Sequence, residues 1–219
     1  MDKKKCLNCL SVFKPQRSTA LFCQNACRTA YNRRRKGSKS PGCILSLCDY
    51  SGNWSSPYAG AGYKVMQIDL KLGQDIRLLS PPANVHGILA APPCTYFACS
   101  GNRWKRSPEE IAKGLSLVDA CLRFVAICQP SWWVLENPIG TLHRYLGKPK
   151  FYFDPCDYGD PYTKKTALWG NFNIPKPKPV EPVLGSMMNK RYGGKSEYTK
   201  EQRSKTPLGF AHAFFRANP

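Results

Sequence analysis

From Cys43 onward, the sequence alternates short apolar segments with turns and one long amphipathic segment, and this alternation limits the possible folds most strongly. Three apolar segments are predicted strands, with the sequences CILSLCD, YKVMQIDL and HGILAA. A predicted helix, SPEEIAKGLSLVDACLRFVAICQP, separates them from a fourth strand, SWWVLENP. Strands and helices in this order predict a doubly wound α/β sheet, which binds ligands at the carboxyl ends of its strands.

The long helix has a clear start signal. Ser107 is placed to cap it, Pro108 suits its first turn, and Glu110 lies at the spacing of a capping box. An apolar stripe follows at helical spacing, and it predicts packing against the core. The stripe consists of Ile111, Leu115, Val118, Leu122 and Val125.

Four cysteines near the N-terminus have the spacing of a metal site. Two residues separate Cys6 from Cys9, and three separate Cys23 from Cys27. Four thiolates arranged in this way complete a tetrahedral site, so we predict one structural zinc ion, with four unrelated thiols as the alternative. In a reducing compartment, cysteines with such spacing indicate a metal more often than disulfides.

The sequence after the cysteines is strongly basic. The segment resembles small treble-clef zinc fingers that carry an FC…CR…Y…RR ending, here residues 22–35. We expect its final arginines to contact phosphate groups, with a solvated basic tail as the alternative. These are Arg33, Arg34 and Arg35. KGSKSPG then reads as a linker, so residues 1–40 are predicted to be a zinc-binding, nucleic-acid-binding module.

The net charge points to a polyanionic partner. Thirty-three Lys and Arg residues against 14 Asp and Glu residues give a formal charge of +19, which favours nucleic acid. No apolar run is long enough to span a bilayer, and the start MDKKK lacks the apolar core of a signal peptide. We therefore expect a cytoplasmic protein without a membrane partner, and we also expect it to be a monomer.

Polar residues follow the predicted strands. Asp69 comes after the second strand and suits the two hydroxyls of an adenosine ribose, while Cys94 and Glu136 stand at the ends of later strands. The turn after the first strand can bring its backbone close to the same ligand, and no GxGxxG motif supports a pyrophosphate cradle. The cofactor-binding residues predicted in this turn are Asp49, Ser51, Gly52, Asn53 and Trp54.

Several motifs in order resemble the cytosine-5 DNA methyltransferases, including compact phage-type members. They are SLCDYSGNWSSPYAGAGYKVMQIDL, DIRLL, APPCTYFACSGNRW and VLENPIG. The resemblance covers most of residues 43–170, and its decisive parts are Pro-Pro-Cys and Glu-Asn. It implies that residues 41–219 form a Rossmann-like catalytic domain that transfers a methyl group from S-adenosylmethionine to DNA.

The resemblance also implies roles for single residues. Cys94 would be the nucleophile that attacks carbon 6 of a flipped cytosine, and Glu136 would hydrogen-bond the ring nitrogen and the exocyclic amine. Asp69 would hold the ribose of the cofactor. The other residues implied at the cofactor are Asp75, Ile76 and Pro92, with Asp75 and Ile76 against the adenine. Because Glu136 follows an apolar strand, we expect burial to raise its pKa.

The sequence departs from the family pattern at several points. Thr95 stands where glutamine is usual, and the Gln-x-Arg-x-Arg segment is absent. YTKKTALWG is its nearest counterpart, which makes Lys164 a candidate ligand of the ring carbonyl or an ordinary surface lysine. No large recognition domain follows, so we expect short or relaxed sequence specificity. Arg103 is a further predicted nucleic-acid contact, and TPLGFAHAF resembles the closing helix of the cofactor pocket.

Two other functions remain open at this stage. One is a DNA-binding protein that keeps the fold without catalysis. The other is methylation of a pyrimidine in RNA or in a free nucleotide. Amino-methyltransferases also carry a Pro-Pro motif, but an aromatic residue follows it there, so Cys94 argues against that class.

Overall fold

The structure is a computed structural model of the 219-residue chain. It describes residues 3–6, 9, 11–15, 17, 20–29, 42–99, 105–186, 194 and 196–219. The chain separates into two compact units, Met1–Pro41 and Gly42–Pro219. Four predicted nucleic-acid contacts lie outside the described residues, as does nearly all of the predicted linker. These contacts are Arg33, Arg34, Arg35 and Arg103.

In the first unit, two short strands form a hairpin. Strands β1 (Lys4–Lys5) and β2 (Val12–Phe13) pair antiparallel. The amide of Cys6 donates a hydrogen bond of 2.9 Å to the carbonyl of Ser11, which turns the chain back on itself between the strands. Residues 25–29 are helical, so the second cysteine pair lies at the start of a helix.

A six-stranded sheet organises the second unit. Its strands are β3 (Cys43–Leu47), β4 (Lys64–Ile68), β5 (Val85–Ala90), β6 (Trp132–Pro138), β7 (Phe151–Phe153) and β8 (Thr166–Asn171). The order is β4-β3-β5-β6-β8-β7. The first four strands are parallel, whereas β8 runs antiparallel to both of its neighbours. The described fold is therefore a mixed α/β sheet and not a fully parallel one.

The antiparallel edge follows from the connection between β6 and β8. Parallel neighbours need a crossover of a dozen or more residues, usually a helix. A long helix fills this role between β5 and β6, but the chain between β6 and β8 has only a four-residue helix, the strand β7 and a short 3-10 helix at Pro155–Tyr158. Without a crossover helix, β8 returns beside β6 in the opposite direction.

Five α-helices are described in the second unit. They are α1 (Ser56–Gly60), α2 (Pro108–Cys128), α3 (His143–Leu146), α4 (Glu197–Ser204) and α5 (Leu208–Ala217). The predicted capping box of α2 is confirmed, since Ser107 and Glu110 exchange side-chain to backbone hydrogen bonds. Among the residues that the structure describes, no helix has both the length and the apolar character needed to cross a membrane.

The sheet separates two apolar clusters. Successive side chains of a strand point to opposite faces, so Leu45 and Ile88 join one cluster while Ile44 and Leu89 join the other. The first cluster is covered by α2, whose Val118 and Phe124 are buried. The rest of the predicted stripe of α2 packs against this cluster partly buried. It comprises Ile111, Leu115, Leu122 and Val125.

The second cluster is aromatic and depends on α5. Phe210 stacks on Phe153 with ring centroids 3.8 Å apart, and Phe214 lies edge-on to Trp132 at 5.7 Å. Asp160 accepts a hydrogen bond of 2.9 Å from the amide of Gly209 at the start of this helix. Helix α5 is thereby held against the sheet next to α1.

The parallel strands diverge at one place. From β3, the chain moves to β4 on one side, and β5 then lies on the other side. Open α/β sheets bind ligands in the crevice at such a topological switch point, outside the carboxyl ends of the strands. Three of the sequence-predicted groups come from this edge, namely the turn after β3, Asp69 after β4 and Cys94 after β5.

Candidate active site

A cleft of about 820 Å³ opens at this edge of the sheet. Eight residues that the sequence singles out contribute to its wall: Asp49, Ser51, Asp69, Ile76, Pro92, Cys94, Glu136 and Lys164. Four other predicted cofactor residues do not line it: Gly52, Asn53, Trp54 and Asp75. The fold thus brings the two halves of the expected site, cofactor and base, to one cavity.

The turn after β3 is built around the carboxylate of Asp49. This buried group accepts hydrogen bonds from the hydroxyl of Ser46 at 2.8 Å, from the hydroxyl of Ser51 at 2.9 Å and from the amide of Gly52 at 3.0 Å. Gly52 has a φ of +67°, in the left-handed region that favours glycine. Asp49 therefore shapes the backbone of the turn, and its charge is largely satisfied by these donors.

Asn53 and Trp54 support this wall from behind. The side-chain amide of Asn53 donates to the carbonyl of Thr206 at 3.3 Å, and Thr206 itself lines the cleft. Trp54 is fully buried and lies edge-on to Phe214, with ring centroids 5.8 Å apart. The segment before α5 thereby forms part of the cavity, as the resemblance of TPLGFAHAF implies.

The two acids after β4 have different surroundings. Asp69 lines the cleft, and one of its carboxylate oxygens accepts a hydrogen bond of 2.8 Å from the amide of Lys71. Asp75 instead pairs with Arg77 at 2.6 Å, and hydrogen bonds from Arg77 lower the pKa of the Asp75 carboxyl. Ile76, the residue after Asp75, is buried and lines the cleft.

Cys94 lies on a turn that hydrogen bonds hold in place. Because Pro92 and Pro93 cannot donate to the ladder, the chain leaves the sheet after β5. The side-chain amide of Asn137 donates to the carbonyl of Pro92 at 2.9 Å. The carbonyl of Cys94 accepts hydrogen bonds from the amides of Phe97 and Ala98, both at 2.9 Å. The thiol is partly exposed toward the cleft.

The same turn is docked on the chain that follows β6. The amide of Thr141 donates to the carbonyl of Phe97 at 2.7 Å, and the amide of Cys99 donates to the carbonyl of Ile139 at 3.0 Å. Gly140 passes so close that any Cβ there would clash with the carbonyl of Phe97. These contacts at the end of β6 therefore fix the position of Cys94 relative to Glu136, which lies on β6.

Glu136 and Lys164 form a nearly buried ion pair beside the thiol. Their side chains are 14% and 5% exposed, and Nζ of Lys164 lies 3.9 Å from Oε1 of Glu136. Burial raises the pKa of Glu136, as expected from its place on an apolar strand, while the ammonium of Lys164 opposes that rise. Burial and the charge of Glu136 raise the pKa of Cys94, and Lys164 and Arg203 lower it.

Sequence reasoning missed several residues that line the cleft. Arg106 contacts the turn that carries Cys94, since it donates to the carbonyl of Thr95 at 3.1 Å and lies over the ring of Tyr96. Helix α4 contributes Lys200 and Arg203. This helix has a cap signal at Ser196 but no apolar periodicity, so the sequence gives little indication that it faces a cavity.

In the first unit, the four cysteine sulfurs lie within 4.8 Å of one another. Sγ of Cys23 is 3.6 Å from that of Cys9 and 3.5 Å from that of Cys27. Zn–S bonds of about 2.3 Å in a tetrahedron place sulfurs about 3.8 Å apart. The cluster therefore has the donor set and the spacing of a closed structural zinc site, and Cys6 and Cys27 are buried.

Comparison with known proteins supports the motif-based interpretation. No family model matches the chain. The chain is 29% identical over 150 residues to "Probable DNA (cytosine-5)-methyltransferase" of Frog virus 3 (isolate Goorha), covering 61% of this chain and 68% of the relative. It is 26% identical over 129 residues to "Type II methyltransferase M.DdeI" of Desulfomicrobium norvegicum, covering 48% of this chain and 30% of that protein.

A solved structure of a prophage-encoded DNA modification methyltransferase (E. coli) is 18% identical, with a TM-score of 0.45, covering 70% of this chain and 55% of that chain. The two sequence relatives confirm the resemblance that the motifs carry. The chain is thus similar in sequence to a probable DNA (cytosine-5)-methyltransferase and to a type II methyltransferase, and these relatives support the expectation of an enzyme of this kind.

Proposed function

We propose that this protein is a DNA cytosine-5-methyltransferase that uses S-adenosylmethionine as the methyl donor. One observation carries the proposal: Cys94, Glu136 and Lys164 line the same cleft as the acid that follows β4. The names of the two sequence relatives support the same activity. The sheet in this proposal is a Rossmann-like methyltransferase domain with an antiparallel edge.

The residues at the β3–β4 side of the cleft fit S-adenosylmethionine, which when bound supplies the methyl group. Asp69 uses one oxygen on the amide of Lys71, and among the described residues its other oxygen accepts no hydrogen bond, so it is available to a ribose hydroxyl. Ile76 and Pro92 provide apolar contacts at the same wall. The volume of about 820 Å³ is in the range of small-molecule sites.

Cys94 performs the covalent step in this proposal. Its thiolate adds to carbon 6 of the pyrimidine, and the electron pair displaced from the ring double bond makes carbon 5 nucleophilic. Carbon 5 then takes up the methyl group, whose bond to the sulfonium sulfur of the donor breaks. Carbon 5 next gives its proton to solvent water, and the electrons of that C–H bond restore the double bond as the C–S bond to Cys94 breaks, which regenerates the thiolate.

Glu136 and Lys164 stabilise the ring while negative charge develops. The raised pKa of Glu136 favours a carboxyl group that shares a proton with the ring nitrogen. Lys164, 3.9 Å from Glu136, is placed to donate to the ring carbonyl and so takes the role that the absent arginine segment would have. Because the cleft encloses these groups, the base must leave the duplex stack or belong to a single strand.

The remaining parts of the proposal concern binding. The cysteine cluster holds one zinc ion, and residues 1–40 form a treble-clef module that contacts phosphate groups. The chain from Asn171 to Pro207 replaces a recognition domain with a short segment, whose described part has one helix, α4. Few side chains are therefore available to read base edges, and specificity is short or relaxed.

Transfer of tritiated methyl groups from S-adenosylmethionine tests the activity. Duplex DNA, single-stranded DNA, RNA and dCMP are incubated in parallel with the protein. We expect label at carbon 5 of cytosine in DNA. Label only in RNA or dCMP would mean that this molecule, and not DNA, is the substrate. DNA binding without any transfer would indicate a non-catalytic protein.

A further inference from the structure

Five cationic side chains line the cleft, and they differ in how their charge is balanced. They are Lys71, Arg106, Lys164, Lys200 and Arg203. Three of them have a carboxylate partner within 4.0 Å. Lys71 pairs with Glu197 at 3.9 Å, Arg106 with Glu110 at 3.5 Å and Lys164 with Glu136 at 3.9 Å. Most of the positive charge in the cleft is therefore already neutralised.

The other two cations both belong to α4. Within the described ranges, neither Lys200 nor Arg203 forms an ion pair with a carboxylate. The two residues are three positions apart, so they share one face of the helix. Arg203 uses one guanidinium nitrogen, Nη2, on the carbonyl of Gly194 at 3.3 Å, which leaves most of its donors without an acceptor in the described structure.

The other described arginines with polar contacts near the cleft each donate at least two hydrogen bonds. Arg77 holds Asp75 through two nitrogens, and Arg123 donates to three backbone carbonyls beside it. Arg106 fixes the turn that carries Cys94 through Thr95. Arg203 differs from these because it lines the cleft with one described acceptor, the carbonyl of Gly194, and forms no ion pair within the described residues.

Arg203 lines the same cleft as Cys94. Its positive charge also lowers the pKa of the Cys94 thiol. Lys71, by contrast, lies over the ring of Tyr50 on the β4 side of the cleft.

We infer that Arg203, assisted by Lys200, binds a phosphate group of the DNA strand next to the flipped cytosine. The inference rests on the proposed function, because it requires a nucleotide in the pocket of Cys94. A guanidinium group presents paired donors that match two phosphate oxygens. Phosphate contacts fix the register of a strand without reading its sequence. Helix α4 would thus position the target strand in place of a recognition domain.

One acid on α4 makes the inference more specific. Glu201 also lines the cleft, and no ion pair within the described residues neutralises it. It lies beside Lys200 and two positions before Arg203, so its charge repels a phosphate at this place. Removing this charge should therefore strengthen DNA binding, while removing the charge of Arg203 should weaken it.

The test compares Arg203→Ala, Arg203→Lys and Glu201→Gln with the wild type. Arg216→Ala is the matched control, because Arg216 is an exposed arginine of α5 outside the cleft. We expect Arg203→Ala to raise the KM for DNA about tenfold and to reduce the slope of log affinity against log salt by about 1. The lysine variant should recover part of the affinity, and Glu201→Gln should lower the KM for DNA.

Two outcomes would overturn the inference. A higher KM for S-adenosylmethionine with an unchanged KM for DNA would mean that Arg203 binds the carboxylate of the cofactor. Unchanged affinity for DNA and an unchanged salt slope would mean that Arg203 does not bind a phosphate group. Melting curves identify variants that fail to fold, and Arg203→Lys then serves as the test. If the wild type transfers no methyl group, the proposed function is wrong. The inference about Arg203 can still be tested in that case, because the salt slope of DNA binding measures the phosphate contact without catalysis.

Discussion

The two units of this protein use cysteine in opposite ways. In the described part of the first 41 residues, the buried residues are Cys6, Pro15 and Cys27, and the four sulfurs of the cysteine cluster lie within 4.8 Å of one another. In residues 42–219, two apolar clusters fill both faces of a sheet, and Cys94 stands apart beside a carboxylate and an ammonium group. In the proposed function, the first unit uses its thiols to fold around zinc, whereas the second folds by burial and uses the thiol of Cys94 for chemistry.

Metal removal should have the largest difference in effect on the folding of the two units. Purified protein should contain about one equivalent of zinc, and structural zinc contributes about 10–16 kcal/mol of apparent binding free energy to folding. We expect a chelator, or Cys6→Ala, to unfold the first unit while the second keeps its structure. Metal analysis and amide hydrogen exchange measure this. A zinc-free protein with a fully protected first unit would contradict the comparison.

Removing the thiol of the second unit should have the reverse effect. Cys94→Ala should lower methyl transfer by a factor on the order of 10⁴ or more, as loss of a catalytic nucleophile does, with cofactor affinity and zinc content unchanged. The wild type should also form a covalent adduct with DNA that contains 5-fluorocytosine, because fluorine blocks the final elimination. Cys99→Ala is the control, since Cys99 is an exposed thiol five positions away. Activity that survives in Cys94→Ala would leave Cys94 a structural thiol.

Within the second unit, the cofactor half can be tested apart from the base half. Asp69→Ala should weaken S-adenosylmethionine binding by about 1.5–3 kcal/mol, the usual loss for hydrogen bonds to a charged group. Asp69→Asn keeps an acceptor for the amide of Lys71, so it separates loss of the local turn from loss of the ribose contact. Calorimetry measures both, with Asp119→Ala on the exposed side of α2 as control. Unchanged affinity would place the ribose elsewhere.

The ion pair beside the thiol predicts a smaller effect that depends on pH. Lys164 lowers the pKa of both Cys94 and Glu136, so Lys164→Met should raise both values. Less thiolate is then present at pH 8, and alkylation of Cys94 by iodoacetamide should slow several-fold. Lys165→Met is the matched control, because Lys165 is half exposed and pairs with Asp154 instead. Equal alkylation rates in the two variants would mean that Lys164 does not affect the thiol of Cys94.

Deleting residues 1–40 should change binding more than specificity. Affinity for DNA should fall and its salt dependence should flatten, because the module adds mainly phosphate contacts. The set of methylated cytosines should stay nearly the same, which bisulfite sequencing of DNA treated with both forms would show. A long recognition sequence that disappears with the module would mean that it reads bases.

The sequence was sufficient to predict the features that depend on local signals. The strands from Cys43 to Pro138, the capping box of α2 and the clustering of the strand-end residues all follow from periodicity and from the geometry of parallel strands. The antiparallel position of β8 did not follow, because it depends on the absence of a crossover helix. The orientation of Trp54 did not follow either, since α5, far along the chain, decides which way that ring packs.

Electrostatic partners were harder to predict than positions. Asp75 falls in the motif expected at the adenine, but Arg77 two residues later binds its carboxylate, and that partner was visible in the sequence as DIR. Arg203 had no such signal. Its segment is polar throughout, and only the folded cleft shows that its charge is left without an acid.

The packing of α5 has a consequence for how the protein is made. Trp54 and Tyr58 are translated early, yet the rings that cover them, Phe210, Phe214 and Phe215, leave the ribosome much later. Until α5 emerges, the nascent chain presents an aromatic face of the sheet to solvent, and exposed surfaces of this kind bind chaperones or aggregate. The second unit therefore closes after synthesis of its last helix, whereas the cysteine cluster of the first unit can form as soon as Cys27 has left the exit tunnel.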